Sequence, residues 1–128
     1  MLHYKAPLRD MRFLINEVLD YPQHYSTLSN GAEATPEMVD AILEGAATLC
    51  EEVLAPLNAS GDKEGCHLAD GVVTTPKGFK EAYAQFVAGG WQGLSFPVEY
   101  GGQGMPMSLN LFKSEMMGAA NWSFNMYP

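Results

Sequence analysis

Positive charge is scarce in this sequence. Seven lysines and arginines stand against fifteen aspartates and glutamates, which leaves a net charge of −8. The basic residues are scattered from Lys5 to Lys113 without forming a cluster. Proteins that bind a phosphate backbone concentrate Lys and Arg on one surface, so we expect no direct binding of nucleic acid.

Residues that bind metals are also sparse. The two cysteines, Cys50 and Cys66, form no C-x-x-C pair, and the three histidines are far apart along the chain. A disulfide or a metal site is therefore the less favoured interpretation. The pattern favours a buried helical thiol at Cys50 and a loop thiol at Cys66.

Long apolar runs are missing as well. No run approaches the roughly 20 apolar residues that a membrane-spanning helix needs, and the charged, mixed N-terminus does not resemble a signal peptide. The 128 residues are 47% hydrophobic and 17% charged, which is typical of one globular domain. We therefore expect a soluble cytoplasmic protein without a membrane span.

Hydrophobic periodicity predicts two helices in the first half of the chain. The first covers residues 7–20, and a polar connector follows at residues 23–34. Thr35 as N-cap and Pro36 at the first helical position begin the second helix, which Pro56 should limit. The apolar positions of the first helix are Leu8, Met11, Leu14, Ile15, Val18 and Leu19.

Three further helices are predicted in the second half, which makes the fold all-α. One helix should follow Thr75-Pro76 and end at Gly89-Gly90 as a glycine C-cap. Another covers about residues 107–119, and a fifth begins near residues 121–123. The segment GVVTT, residues 71–75, is a brief extended stretch that is too isolated to form a sheet.

The segment FPVEYGGQGMP, residues 96–106, raises the possibility of a phosphate-binding loop. Such a loop needs a strand that runs into the glycines and a helix that follows them. Here Pro97 interrupts any strand, the spacing matches neither GxGxxG nor GxxxxGK[ST], and no lysine follows directly. A structural turn is favoured over a nucleotide-binding loop.

The remaining polar residues do not form a recognisable catalytic set. Glu99 has no second titratable group nearby in the sequence, and no serine lies in a G-x-S-x-G setting. The abundant late methionines fit either core packing or a pliable pocket for an apolar ligand, and the residues alone leave both open. These methionines are Met105, Met107, Met116, Met117 and Met126.

One long pattern resembles the N-terminal helical domain of the acyl-CoA dehydrogenase family. Residues 78–124 contain a helix, a Gly-Trp-x-Gly-Leu turn, a proline, a Glu-Tyr-Gly-Gly-x-Gly motif and a further helix. Residues 4–21 and 51–79 are similar to the N-terminal extension and following segment of a bacterial subgroup of long family members. The matching positions are Gly90, Trp91, Gly93, Leu94, Pro97, Glu99, Tyr100, Gly101, Gly102, Gly104 and Glu115.

The resemblance implies an organisation and a function. Residues 1–34 would be the extension helix and linker, and residues 35–128 the N-terminal α-domain, incomplete at its C-terminal end and cut before the family's β-domain. Family members dehydrogenate an acyl-CoA thioester with FAD, a catalytic glutamate and an electron acceptor. The glutamate and the main flavin contacts would follow Pro128, so this chain alone should be inert, with no catalytic residue and no FAD bound.

The resemblance also implies a substrate-binding wall, which pairing of Glu115 with the family's glutamate places at Phe124, Asn125, Met126 and Tyr127. Faces that normally meet the missing domains would leave apolar surface exposed, so we expect a homo-oligomer. The alternative function is a stand-alone, non-catalytic helical interaction module that keeps the family scaffold. An autonomous flavin or nucleotide binder is disfavoured by the glycine spacing.

Overall fold

The computed structural model describes residues 3–128 and shows a mostly helical chain, as the sequence predicts. No helix in this range is long and apolar enough to cross a membrane. The helices and strands, in chain order, are α1 (Leu8–Phe13), α2 (Tyr21–Ser26), α3 (Pro36–Thr48), α4 (Ala55–Glu64), β1 (His67–Ala69), β2 (Val72–Thr74), α5 (Phe79–Ala88), α6 (Met107–Ala120) and α7 (Trp122–Asn125). Two π-helical segments (Leu14–Val18 and Leu49–Leu54) and two 3₁₀ turns (Trp91–Gly93 and Val98–Tyr100) complete the set.

The second predicted helix begins as expected but is longer than predicted. The Thr35 hydroxyl accepts a hydrogen bond from the Met38 backbone N–H at 3.2 Å, which confirms it as the N-cap. The prediction that Pro56 limits the helix is wrong, because a π-helical segment links α3 directly to α4. Pro56 then lies in the first turn of α4, where its missing N–H is tolerated.

The N-terminal segment packs against α3 through only part of its predicted apolar face. Met11 and Ile15 are each 2% exposed, and the Arg12 Nε donates to the Asp40 carboxylate at 2.6 Å. Val18 and Leu19, in contrast, are 55% and 48% exposed. The π-helical bonding from residue i to i+5 that begins at Leu14 rotates these later residues away from α3.

The predicted polar connector contains a helix instead. After Asp20, which adopts a left-handed conformation with φ of 46°, the chain forms α2. Tyr25 of this helix is buried, and its hydroxyl lies 2.7 Å from the hydroxyl oxygen of Ser108 in α6. The Asn30 amide donates to the Gly104 carbonyl at 3.1 Å, so this segment is held against the rest of the domain.

The extended segment after Gly71 is not isolated. It pairs antiparallel with β1, and Asp70 and Gly71 both have positive φ, at 50° and 76°, as a type I′ hairpin turn requires. The predicted Thr75-Pro76 helix start is wrong by a few residues, because Gly78 adopts a left-handed conformation and α5 begins after it. The C-terminal end at Gly89-Gly90 is confirmed, with Gly90 left-handed at φ 71°.

Helix α6 lies at the centre of the core and packs on α3 and the second π-helical segment. Met105, Met116 and Met117 are buried, which shows core packing for these three methionines, whereas Met107 and Met126 are exposed. The apolar residues of α5 are only partly buried: Phe79, Ala82 and Phe86 are buried, while Tyr83 and Val87 remain 44% and 39% exposed.

Candidate functional site

The glycine-rich segment is a closed turn rather than an anion-binding loop. Its backbone N–H groups already bond to carbonyl oxygens of the chain: Gly102 to Pro97 at 3.1 Å and Gly104 to Phe96 at 2.9 Å. Gln103 likewise donates its backbone N–H to the Gly93 carbonyl at 2.9 Å. Because these donors are used internally, they are not available to surround a phosphate.

Lys113 is a buried cation that the sequence analysis did not single out. Its ammonium nitrogen donates to the Trp91 carbonyl at 2.9 Å and lies 5.5 Å from the centroid of the Phe86 ring. Burial lowers the pKa of Lys113, while the nearby Cys50 opposes this shift. Lys113 follows Leu109 by four residues, so helical spacing on the buried face could have identified it.

This contact ties α6 to the turn at Trp91. The Gln103 side-chain amide reaches the same turn and donates to the Gly90 carbonyl at 3.0 Å. Lys113 thus holds the Gly-Trp-x-Gly turn against α6, and Gln103 holds it against the glycine-rich turn. The two parts of the motif are therefore one packed structural unit.

The buried thiol of Cys50 gives a pH-dependent prediction. Burial, followed by the effect of Glu51, raises the pKa of Cys50 from 9.0 to about 12 in the folded chain. The thiol therefore contributes stability that is fully present below pH 9 and is lost as pH rises from about 9 towards 12. In that window the loss is about 1.4 kcal/mol per pH unit.

We expect Cys50→Ala to be less stable than the unsubstituted chain at pH 8, and this deficit should shrink at pH 10.5. Lys113 acts in the opposite direction, since its lowered pKa makes stability rise towards pH 10.5 in both chains. Because Cys50 and Lys113 also affect each other, the difference between the two urea-unfolding curves reports the thiol together with its coupling to Lys113. A deficit that stays constant from pH 8 to 10.5 would contradict the prediction.

An apolar cavity of about 350 Å³ lies between α5 and the C-terminal residues. The Phe79 ring centroid lies 6.1 Å from that of Phe124 and 6.4 Å from that of Tyr127, the latter pair edge to face. The lining residues are Thr75, Phe79, Lys80, Tyr83, Phe124 and Tyr127. The cavity can therefore bind an apolar group beside aromatic rings, with one ammonium and two kinds of hydroxyl in its wall.

The structure brings two of the four predicted wall residues into this cavity. Phe124 is 1% exposed and Tyr127 is 55% exposed, and both line it. Asn125 is half-buried and Met126 is 72% exposed, and neither is among the lining residues. The hydroxyl of Tyr127 also lies 3.8 Å from the Cys66 sulfur, a contact that raises the pKa of Tyr127.

The other side of the cavity was not predicted from the sequence. Phe79 and Tyr83 are spaced four residues apart on α5, so their position on one helix face was readable, but their proximity to α7 was not. No carboxylate lines the cavity in the part of the chain that the structure describes. The cavity can therefore hold an apolar group but offers no carboxylate base that could remove a proton from it.

Comparison with known proteins gives a consistent set of matches. The family model described as "Acyl-CoA dehydrogenase, N-terminal domain" matches residues 36–128. A 3-methylmercaptopropionyl-CoA dehydrogenase of Ruegeria pomeroyi is 40% identical over 125 residues, which cover 98% of this chain and 21% of that protein. A butyryl-CoA dehydrogenase of Syntrophomonas wolfei is 32% identical over 84 residues, 63% of this chain and 14% of that protein. The chain thus matches about a fifth or less of the length of these relatives.

Proposed function

Because the chain belongs to the acyl-CoA dehydrogenase family, we propose that it acts as the N-terminal helical domain of an FAD-dependent enzyme that dehydrogenates an acyl-CoA thioester at its α,β carbon–carbon bond. Two relatives are named as dehydrogenases of acyl-CoA thioesters, which supports this substrate class. In this proposal residues 1–34 form an extension and residues 35–128 the family domain. The catalytic glutamate lies outside these residues, and the 128-residue chain is inert alone.

The proposed contribution of this domain is a wall of the acyl-binding pocket, formed by Phe124, Asn125, Met126 and Tyr127. The observation that carries the proposal is the aromatic cavity in which Phe124 and Tyr127 face α5. An apolar wall of this kind removes apolar acyl surface from water, and each buried CH₂ group contributes about 0.8 kcal/mol. It also helps to exclude water from the reacting groups.

In this proposal the glycine-rich turn does not hold the flavin. The glycine-turn N–H groups that could approach a pyrophosphate are bonded to the carbonyls of Pro97, Gly93 and Phe96. FAD, which accepts the hydride in this family, would therefore be held by other parts of the complete enzyme. An electron acceptor and a homo-oligomeric state complete the proposal. Exposed apolar side chains such as Phe13 and Leu111, 58% and 64% exposed, support association.

Tyr127→Ala tests the proposed wall in the complete enzyme encoded by the gene. We expect kcat/KM for an acyl-CoA substrate to fall about tenfold, because an aromatic contact with the acyl chain is lost. Tyr100→Ala is the matched control, since Tyr100 is 84% exposed and does not line the cavity. The assay follows reduction of a dye acceptor with octanoyl-CoA and butyryl-CoA.

Other outcomes separate the alternatives. A stop codon directly after Pro128, together with no acyl-CoA oxidation by the purified product, would favour the non-catalytic interaction module. An active enzyme in which the Tyr127 and Tyr100 variants lose activity equally would exclude the wall but keep the family reaction.

A further inference from the structure

Asn121 is a buried polar residue at the joint between α6 and α7, with hydrogen bonds at both ends of its side-chain amide. Its side chain is buried, with the residue 1% exposed. The Oδ1 atom accepts hydrogen bonds from the Phe124 backbone N–H at 3.0 Å and from the Ser123 hydroxyl at 2.9 Å. The Nδ2 atom donates to the Leu54 carbonyl at 3.0 Å. Burial of an amide is unfavourable unless both ends are bonded, and here both are.

The two ends of this amide connect different parts of the fold. Leu54 is the last residue of the second π-helical segment and is completely buried. After it the backbone returns from π-helical to α-helical hydrogen bonding in α4. Phe124 belongs to α7, and its N–H is the group that Asn121 caps. The Asn121 side chain therefore caps α7 and also holds it against the continuous helix that α3, the second π-helical segment and α4 form.

The position of α7 determines the shape of the aromatic cavity. The Phe124 ring lies between Phe79 and Phe86, with centroid distances of 6.1 and 6.2 Å. Tyr127 follows, and its backbone N–H donates to the Phe124 carbonyl at 3.0 Å. A movement of α7 at Asn121 would shift both Phe124 and Tyr127 relative to α5.

Few other residues could make both connections. Serine, threonine and aspartate cap helices about as well as asparagine. Serine and threonine are too short to reach the Leu54 carbonyl while capping, and an ionised aspartate can only accept hydrogen bonds. The cap alone therefore does not require asparagine, whereas the cap together with the bond to Leu54 does.

Building on the proposed function, we propose that Asn121 is a positioning residue that sets the distance between α7 and α5 and thereby the acyl-chain length that the cavity selects. Asn121 itself does not line the cavity. It acts through Phe124 and Tyr127, and its removal should change the choice between substrates rather than the chemistry of the reaction.

The test uses Asn121→Ser and Asn121→Asp, which keep the cap and lose the donor to Leu54. In the complete enzyme we expect the ratio of kcat/KM for octanoyl-CoA over butyryl-CoA to change by about fivefold, the factor that corresponds to one net hydrogen bond. The change should lie mainly in KM. Asn110→Ser, the same substitution on α6 away from the cavity, should leave the ratio unchanged. A lower melting temperature with an unchanged ratio in both Asn121 variants would show a purely structural role and overturn the inference.

A second measurement on the 128-residue chain separates this inference from the proposed function. In Asn121→Ser we expect the nuclear Overhauser effects between the Phe79 and Tyr127 rings to be lost, while the capped Phe124 amide stays protected from hydrogen exchange. Retention of the ring contacts would overturn the positioning role whatever the enzyme does. A different outcome is that the ring contacts are lost in Asn121→Ser but the unsubstituted complete enzyme oxidises no acyl-CoA. That outcome would overturn the proposed function and, with it, the role of Asn121 in substrate selectivity.

Discussion

Gly102→Ala is expected to destabilise the chain by about 3 kcal/mol, at the upper end of the usual cost of overpacking. A Cβ atom at Gly102 would overlap the backbone carbonyl of Phe96 and come within 2.6 Å of its Cβ. The backbone cannot easily move away, because the Gly102 N–H is bonded to the Pro97 carbonyl at 3.1 Å. Equilibrium unfolding in urea measures the loss.

Gly101→Ala is the matched control one residue earlier. A Cβ there meets nothing within 4 Å, although its φ of 83° is unfavourable for alanine. That conformation costs about 1–2 kcal/mol. If both variants lost the same stability, the close contact between Gly102 and the Phe96 carbonyl could not be the reason for glycine at that position.

This pair of glycines also shows what a sequence motif can and cannot establish. The spacing of Gly101, Gly102 and Gly104, with Pro97 before them, was enough to reject a phosphate-binding loop and to predict a turn. It could not show that the Phe96 carbonyl occupies the space beside Gly102. The position of the Phe96 carbonyl depends on how the chain folds back on itself, and the residue types around Gly102 do not determine it.

The helices were predictable where a cap and periodicity agreed, as at Thr35, or where helical periodicity was sustained, as along α6. The errors occurred where backbone hydrogen bonding departs from the α pattern. The π-helical segments at Leu14–Val18 and Leu49–Leu54 have no distinctive composition. The sequence therefore could not show that Val18 turns away from α3, or that the helix continues past Pro56. Helix α2 was not predicted because it follows Asp20 in a left-handed conformation, which aspartate adopts only occasionally.

The sequence indicated only one side of the cavity. The resemblance to family members implied a wall at Phe124, Asn125, Met126 and Tyr127, of which Phe124 and Tyr127 line the cavity. Phe79 and Tyr83, more than forty residues earlier, reach the same cavity through tertiary packing. Helical spacing from Leu109 places Lys113 on the buried face of α6, but lysine is ordinarily solvent-exposed, so its residue type argued against burial.

Phe86→Ala is expected to have the largest effect on stability, a loss of about 4 kcal/mol. Phe86 is 0% exposed, its ring meets that of Phe124 at 72°, and the Lys113 ammonium lies 5.5 Å from its centroid. Truncation would leave a void that three helices surround and would remove the aromatic face from a buried cation. Unfolding in urea at pH 7 measures this loss.

Tyr83→Ala provides the comparison on the same helix. Tyr83 is 44% exposed and stacks on Phe86 at 6.2 Å, so its truncation removes an aromatic contact without opening an enclosed void. We expect a loss of about 1 kcal/mol or less. Because Lys113 reaches both Phe86 and the Trp91 carbonyl, Phe86→Ala should also weaken the Trp91 turn. With Trp122 replaced by Phe in both chains, the fluorescence of Trp91 should then shift before global unfolding. An equal loss of stability in both variants would mean that Phe86 is not the central contact of the α5, α6 and α7 core.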